Sequence, residues 1–174
     1  MKAKILIGAG LILSALGCGA YEPVEILPDH LRSLRVNSVS NETSQIGLGQ
    51  DLTQQLIDDF VREGRFKVTG SDDADAILFT TIADYSKIPI SYDENFVAQE
   101  YKITMVVNLQ FVDNIDRVRI FDESRKGLVG GIETWVNYNA SPDLGFVETE
   151  EEAKERLIRE ISERIIQRTI YGWD

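Results

Sequence analysis

The sequence predicts an α+β domain in which two amphipathic helices pack on one face of a mainly antiparallel β-sheet. Three stretches carry that expectation. Tyr101, Ile103, Met105, Val107, Leu109 and Phe111 alternate with Lys102, Thr104, Asn108 and Gln110, and only Val106 and Val112 interrupt the polar side. A period of two describes a strand with one covered face and one wetter face. Leu48, Leu52, Leu56, Ile57, Phe60 and Val61 recur at helical spacing, as do Ala153, Leu157, Ile158, Ile161, Ile165 and Ile166. Each set forms an apolar stripe that must be buried against something.

The chain begins with Lys2 and Lys4, followed by an apolar run over residues 5–16 broken only by Gly8, Gly10 and Ser14. A membrane-spanning helix needs roughly 20 apolar residues, so this run is too short to span. A positive start, a short apolar core and small residues at its end describe a secretory signal. Ala15-Leu16-Gly17-Cys18 resembles the lipobox of bacterial lipoproteins, in which cleavage leaves the cysteine as the lipid-modified first residue. The expected organisation is a signal peptide over 1–17, a lipidated tether over 18–33 and a single domain over 34–174.

Cleavage removes 17 of the 174 residues, and losing Lys2 and Lys4 moves the formal charge from −11 to −13. The remaining 157 residues suit one domain with a sizeable core. Cys18 is the only cysteine, so its lipidation leaves no thiol for an intrachain disulfide, and packing must hold the fold. One acyl chain binds a bilayer marginally, whereas the two or three of a mature lipoprotein anchor it stably. In enterobacterial lipoproteins an Asp after the cysteine favours inner-membrane retention. Gly19 stands there, which is compatible with an outer-membrane destination.

Beyond the tether, Leu34, Val36 and Val39 mark a first strand, and Asn41, Glu42, Thr43 and Ser44 a polar turn. A helix is expected over about 48–63, with Asp51 near its start, Arg62 near its end and Gly64 as its stop. Residues 66–68 form a short extended piece, residues 70–75 a polar loop and residues 76–85 a strand rich in branched and aromatic side chains. Val118, Ile120 and Phe121 continue the extended pattern, which leaves open whether 117–122 is a separate strand or prolongs a hairpin. Another strand is expected over 128–138, and Pro142 breaks it. Thr149 and Glu152 fit a capping box, acidic residues crowd the first turns of the last helix, and Arg164 and Arg168 lie near its end.

Chemistry-bearing constellations are sparse. His30 is the only histidine and falls in the expected tether, where a solvated linker residue is anticipated. Neither a histidine-based triad nor the usual zinc set can be assembled around it, and no metal, cofactor or catalytic residue is expected. Gly47-Leu48-Gly49 lacks the third glycine of a dinucleotide-binding fingerprint, because Leu52 stands in its place, so these glycines are read as easing a strand-to-helix turn. Asp72, Asp73 and Asp75 lack the spacing of an EF-hand loop and are read as surface acidity. The acidic balance argues against nucleic-acid binding. Arg117, Arg119, Arg125 and Lys126 form a local basic cluster that suits an anionic lipid headgroup, although ordinary solubilising charge beside Asp116, Asp122 and Glu123 is the more economical reading.

Taken together, Cys18-Gly19-Ala20-Tyr21, the run 34–43, Leu52-Thr53-Gln54-Gln55-Leu56, Gly64-Arg65-Phe66-Lys67-Val68, Ala74-Asp75-Ala76-Ile77-Leu78 with Ile82 and Tyr85, and Glu100-Tyr101-Lys102-Ile103 resemble the LptE-like lipopolysaccharide-assembly lipoproteins. The resemblance covers nearly the whole chain. It implies an α+β fold and a non-enzymatic role as plug and assembly factor of the outer-membrane β-barrel LptD, with lipopolysaccharide as a further contact. It also implies an outer-membrane location on the periplasmic side. A different class is an anchored TolB N-terminal-like lipoprotein regulating a cell-envelope enzyme, which also starts with a strand, a turn and an amphipathic helix. Recovery of a large barrel or of a cell-wall synthase with the chain discriminates the two. Replacing the proposed acyl acceptor, Cys18→Ser, is expected to abolish metabolic labelling by a palmitate analogue; a variant that still labels overturns the lipoprotein assignment.

Overall fold

A computed structural model of the chain describes residues 27–124, 131–142 and 145–172. In chain order the elements are β1 (Ser33–Val36), β2 (Ser40–Asn41), α1 (Leu48–Glu63), β3 (Lys67–Val68), β4 (Ala76–Tyr92), β5 (Ala98–Asp113), β6 (Val118–Glu123), β7 (Ile132–Asn139) and α2 (Glu150–Ile170). The strands form one mixed sheet in the order β3-β1-β4-β5-β6. β2 continues the row of β1 against β4, and β7 continues the row of β6 against β5. β1 runs parallel to β3 and β4, as β2 does to β4, while the longer β4–β5, β5–β6 and β5–β7 ladders are antiparallel. The fold is α+β with a mostly antiparallel sheet, as the sequence periods require.

Both helices form where the apolar stripes lie. Gly64 closes α1 in the left-handed conformation, φ 75°, with its N–H donating to the Phe60 carbonyl. Thr149 Oγ1 accepts from the Glu152 N–H while the Glu152 carboxylate accepts from the Thr149 N–H, completing the capping box of α2. At Gly49 an added Cβ would lie 2.9 Å from the Val39 carbonyl oxygen, so glycine lets α1 approach the β1–β2 row closely. That contact gives the Gly47-Leu48-Gly49 stretch its structural reason.

The core lies between the helices and one face of the sheet. Leu52, Leu56 and Phe60 of α1 and Leu157, Ile161 and Ile165 of α2 are fully buried with Leu34, Leu78, Ile82, Ile103 and Leu109 of the strands. Phe60, Phe66, Phe111 and Phe121 touch in sequence, with centroids 6.4, 6.2 and 5.5 Å apart, tying α1 through β5 to β6. One polar link crosses between the helices. Ser162 Oγ donates to Asp59 Oδ2 at 2.7 Å, and the same carboxylate accepts from Gln55 and Arg62.

Two boundaries differ from the sequence expectation, and one open point is resolved. β4 runs to Tyr92 instead of ending near residue 85, and its pairing with β5 is interrupted by an irregularity between Ile82 and Asp84. β6 is a strand of its own, separated from β5 by a turn over 114–117. The expected strand over 128–138 is β7 from Ile132 onward, and residues 128–130 lie outside the described residues.

The expected tether over 18–33 is the larger correction. Leu27 and Leu31 are 5 % and 1 % exposed and join the core, and the N–H groups of Arg32 and Ser33 donate to Asp75. Residues 27–33 are therefore part of the domain. Two isolated leucines in a Pro-containing stretch have no period to betray them, so burial there is a purely tertiary event. Leu31→Ala should lower unfolding free energy by about 2–4 kcal/mol, the usual cost of truncating a buried leucine. Urea titration checks this, and an unchanged midpoint refutes the docking of this segment.

Candidate functional site

The end of the domain where residues 27–33 dock is built around Asp113, at the close of β5. Its Oδ1 accepts the N–H groups of Ile115 and Asp116 at 2.9 Å each, and its Oδ2 lies 2.6 Å from His30 Nε2. Burial pushes this carboxyl up, but the Asp116 N–H, the His30 ring and the Ile115 N–H together outweigh it and hold the pKa below the ordinary value. His30 also lies 3.9 Å from Asp116 Oδ2. The expected solvated linker histidine is thus a clasp that fastens the N-terminal segment to the β5–β6 turn. His30, Asp113 and Asp116 stand close enough together to suggest cation ligands. Both oxygens of Asp113 are already engaged within the protein, so the structural clasp accounts for the trio.

Asp75 works beside it. The Arg32 and Ser33 N–H groups donate to its Oδ2 at 3.0 and 2.8 Å, and these bonds lower its pKa. Its neighbours have separate tasks, since Asp72 pairs with Arg35 and the Asp73 N–H donates to Ser71 Oγ. The three aspartates do not converge on one point.

Two members of the basic cluster can be placed. Arg117 is exposed in the β5–β6 turn, with φ 56°, at the same end as His30. Arg119 lies on β6 with its Nη1 2.5 Å from Asp122 Oδ2. Arg125 and Lys126 lie outside the described residues, as does Cys18. The structure brings Arg117 and Arg119 to the His30–Asp113 end, a placement that their spacing along the chain does not reveal.

The second surface is the sheet face without helices. Phe79, Asn108, Gln110, Thr104, Lys102, Glu133 and Trp135 point there by strand alternation from the core positions. Trp135 is 51 % exposed, and Lys102 Nζ sits 4.7 Å from its ring centroid. This face is polar with aromatic points, which suits contact with a mixed protein wall.

The third surface is the far end of the β4–β5 hairpin, where Ile88, Ile90, Tyr92, Phe96 and Val97 are exposed. Sequence reasoning missed it because it ended β4 at Tyr85. Ile88, Ile90 and Tyr92 alternating ahead of Asp93-Glu94-Asn95 were the available signal.

A family model described as lipopolysaccharide-assembly, LptE, matches residues 31–169. Among solved structures, a Xanthomonas campestris protein is similar at 11 % identity and TM-score 0.54, over 79 % of this chain and 83 % of its own. Lipoprotein B of Nitrosomonas europaea is similar at 14 % identity and TM-score 0.49, over 83 % and 88 %. A minor lipoprotein of Acinetobacter baumannii is similar at 13 % identity and TM-score 0.48, over 80 % and 92 %. At such identities a structural likeness speaks to fold alone. No curated protein matches.

The depressed carboxyls of Asp75 and Asp113 set a pH dependence. A carboxyl whose folded pKa lies below its unfolded value contributes stability above the unfolded pKa and loses it as pH falls through the folded one. For Asp75 and Asp113 that window opens at about pH 3.8 and extends below it. Asp75→Asn should lower the urea midpoint at pH 7 and show a shallower further loss between pH 4 and 2 than the parent protein. Parallel acid profiles for the two proteins count against this assignment.

Proposed function

We propose that this chain, which belongs to the LptE lipopolysaccharide-assembly family, is an outer-membrane lipoprotein that plugs an LptD-type β-barrel and assists its assembly. The observation that carries the reading is the family match, which spans residues 31–169 and so nearly the whole of the domain described above. The role is non-enzymatic: the work is done by shape and partnership.

The physical layout supports a plug. A barrel lumen presents a polar wall, and the helix-free sheet face offers polar side chains with Phe79 and Trp135 as apolar points. No described helix is long and apolar enough to cross a membrane, which fits attachment through lipid at Cys18 after removal of residues 1–17. From Cys18 to Leu27 is nine residues, a reach of at most about 30 Å. The His30–Asp113 end is therefore held near the bilayer.

The same reach brings Arg117 and Arg119 toward the headgroup region, and Arg125 and Lys126 belong to the same sequence cluster. These four are the proposed lipopolysaccharide contacts, with guanidinium groups meeting anionic phosphate. Arg119 must exchange its Asp122 partner to do so, and Arg117 needs no such exchange.

The decisive experiment is co-purification from detergent-solubilised outer membranes, where a large β-barrel is expected in stoichiometric yield. Its absence overturns the plug reading. Simultaneous charge reversal at Arg117, Arg119, Arg125 and Lys126 is expected to weaken lipopolysaccharide binding at least fivefold with thermal unfolding unchanged. Undiminished binding assigns the cluster to solubility.

A further inference from the structure

The β4–β5 hairpin runs well past the part of the sheet that the helices cover. From Ala76 to Tyr92 the strand rise amounts to roughly 50 Å, so its tip lies far from the His30–Asp113 end. Ile88, Ile90, Tyr92 and Val97 are 51, 41, 54 and 56 % exposed, and Phe96 is 87 % exposed. Large apolar side chains exposed together on one hairpin end mark an interaction site when they are held in shape.

They are held in shape. Asp93 Oδ1 accepts the N–H groups of Asn95 and Val97 at 2.8 Å each, and the Phe96 N–H donates to the Asp93 carbonyl. Phe96 is fixed at φ 60°, a left-handed conformation that a bulky side chain adopts only at a cost. The turn spends that cost to hold an aromatic ring in solvent. Nothing about the turn itself calls for phenylalanine, since glycine fits such a position better.

The charge pattern selects the occupant. Residues 88–101 contain Asp93, Glu94 and Glu100 and no Lys, Arg or His. Burying ionised carboxylates in hydrocarbon is costly, and anionic headgroups repel them. A second copy would bring the same three negative charges against its own. Pro89 also lacks the N–H that strand addition along β4 would use. The geometry points to an apolar cleft rimmed by Lys or Arg on the barrel partner, which receives the hairpin tip with Phe96 as its anchor. This rests on the plug reading and deepens it by naming a contact point on each side. Buried aromatic anchors of this type carry a large share of interface energy.

The test uses the full lipidated chain in cells and compares three proteins with the parent. Phe96→Gly removes the ring and relieves the left-handed strain, so thermal stability should hold or rise while recovery of the barrel falls at least tenfold. A purely structural role for Phe96 predicts undiminished recovery. Glu94→Lys combined with Glu100→Lys leaves the Asp93 turn intact and should reduce recovery at least fivefold. Equal recovery overturns the cationic rim. A photoreactive phenylalanine analogue at position 96 should crosslink to the barrel. Crosslinks to phospholipid or to a second copy of this chain overturn the proposal in favour of those occupants. Failure of the parent chain itself to recover a barrel sinks the plug reading and this inference with it. Recovery that ignores all changes at the tip sinks the inference alone.

Discussion

Every other element depends on the β4–β5 ladder. It runs the length of the molecule, and β1, β2, β6 and β7 each pair with one of its two strands. Its irregularity between Ile82 and Asp84 decides which side chains meet the helices. Before it, Ala76, Leu78, Thr80 and Ile82 share the core face; after it, Tyr85 and Lys87 do, opposite Met105 and Ile103. One extra residue therefore swaps odd for even along the strand. The swap turns Lys87 toward α2, where its ammonium sits 2.6 Å from Glu150 and 4.4 Å from the Tyr101 ring centroid. The Glu150 hydrogen bond and then Tyr138 raise the Lys87 pKa well above its ordinary value, so this contact stays charged at every physiological pH. Tyr85 is pushed up to about 12, first by burial and then by Glu150, and stays neutral beside it. The bulge thus places a cation where the capped start of α2 presents carboxylates.

That parity change also explains what sequence reading reached and where it stopped. β5 was legible because its apolar side is unbroken from Tyr101 to Phe111, and both helices were legible from four-residue recurrence with clear caps. β4 was cut short because Asp84, Ser86 and Lys87 break the apolar period just where the bulge resets it. A period-two reading has no means of seeing a phase change. The docking of residues 27–33 was missed for a different reason: Asp113, the partner of His30, and Asp75, the partner of the Arg32 and Ser33 N–H groups, stand over 40 residues away. The acid–histidine clasp exists only in three dimensions. The basic cluster was visible only as proximity along the chain, while the position of Arg117 and Arg119 at the His30–Asp113 end came from the turn between β5 and β6.

The helical layer does more than cover the core. Arg156 Nη2 of α2 donates to the Asn137 carbonyl at 2.8 Å, and Arg164 Nη1 to the Glu133 carbonyl at 3.0 Å, both on β7. Among the described strands β7 pairs only with β5, so these carbonyls lie on the outer edge of the sheet. Arg168 extends the same row, binding Glu123 of β6 and lying 4.6 Å from the Phe121 ring centroid. Edges of this kind recruit foreign strands unless they are covered. Three arginines at positions 156, 164 and 168 repeat at roughly one helix face and serve as the cover. Arg156 is further held by Glu148, so its guanidinium is fixed in place before any partner arrives.

Edge protection and the exposed hairpin tip have to be considered together. On the proposed lipid-anchored reading the domain is concentrated at a membrane surface and meets its own copies often, and open β-edges would turn those meetings into aggregation. The arginine cover on β7 and Pro89 on β4 suppress pairing through the backbone. The exposed apolar side chains of the tip stand beside Asp93, Glu94 and Glu100, so copies repel where they would otherwise stick. An interaction surface built this way is silent toward itself and toward anionic lipid, and responds to a partner that supplies an apolar cleft with positive charge. Specificity here comes from what the tip refuses as much as from what Phe96 offers.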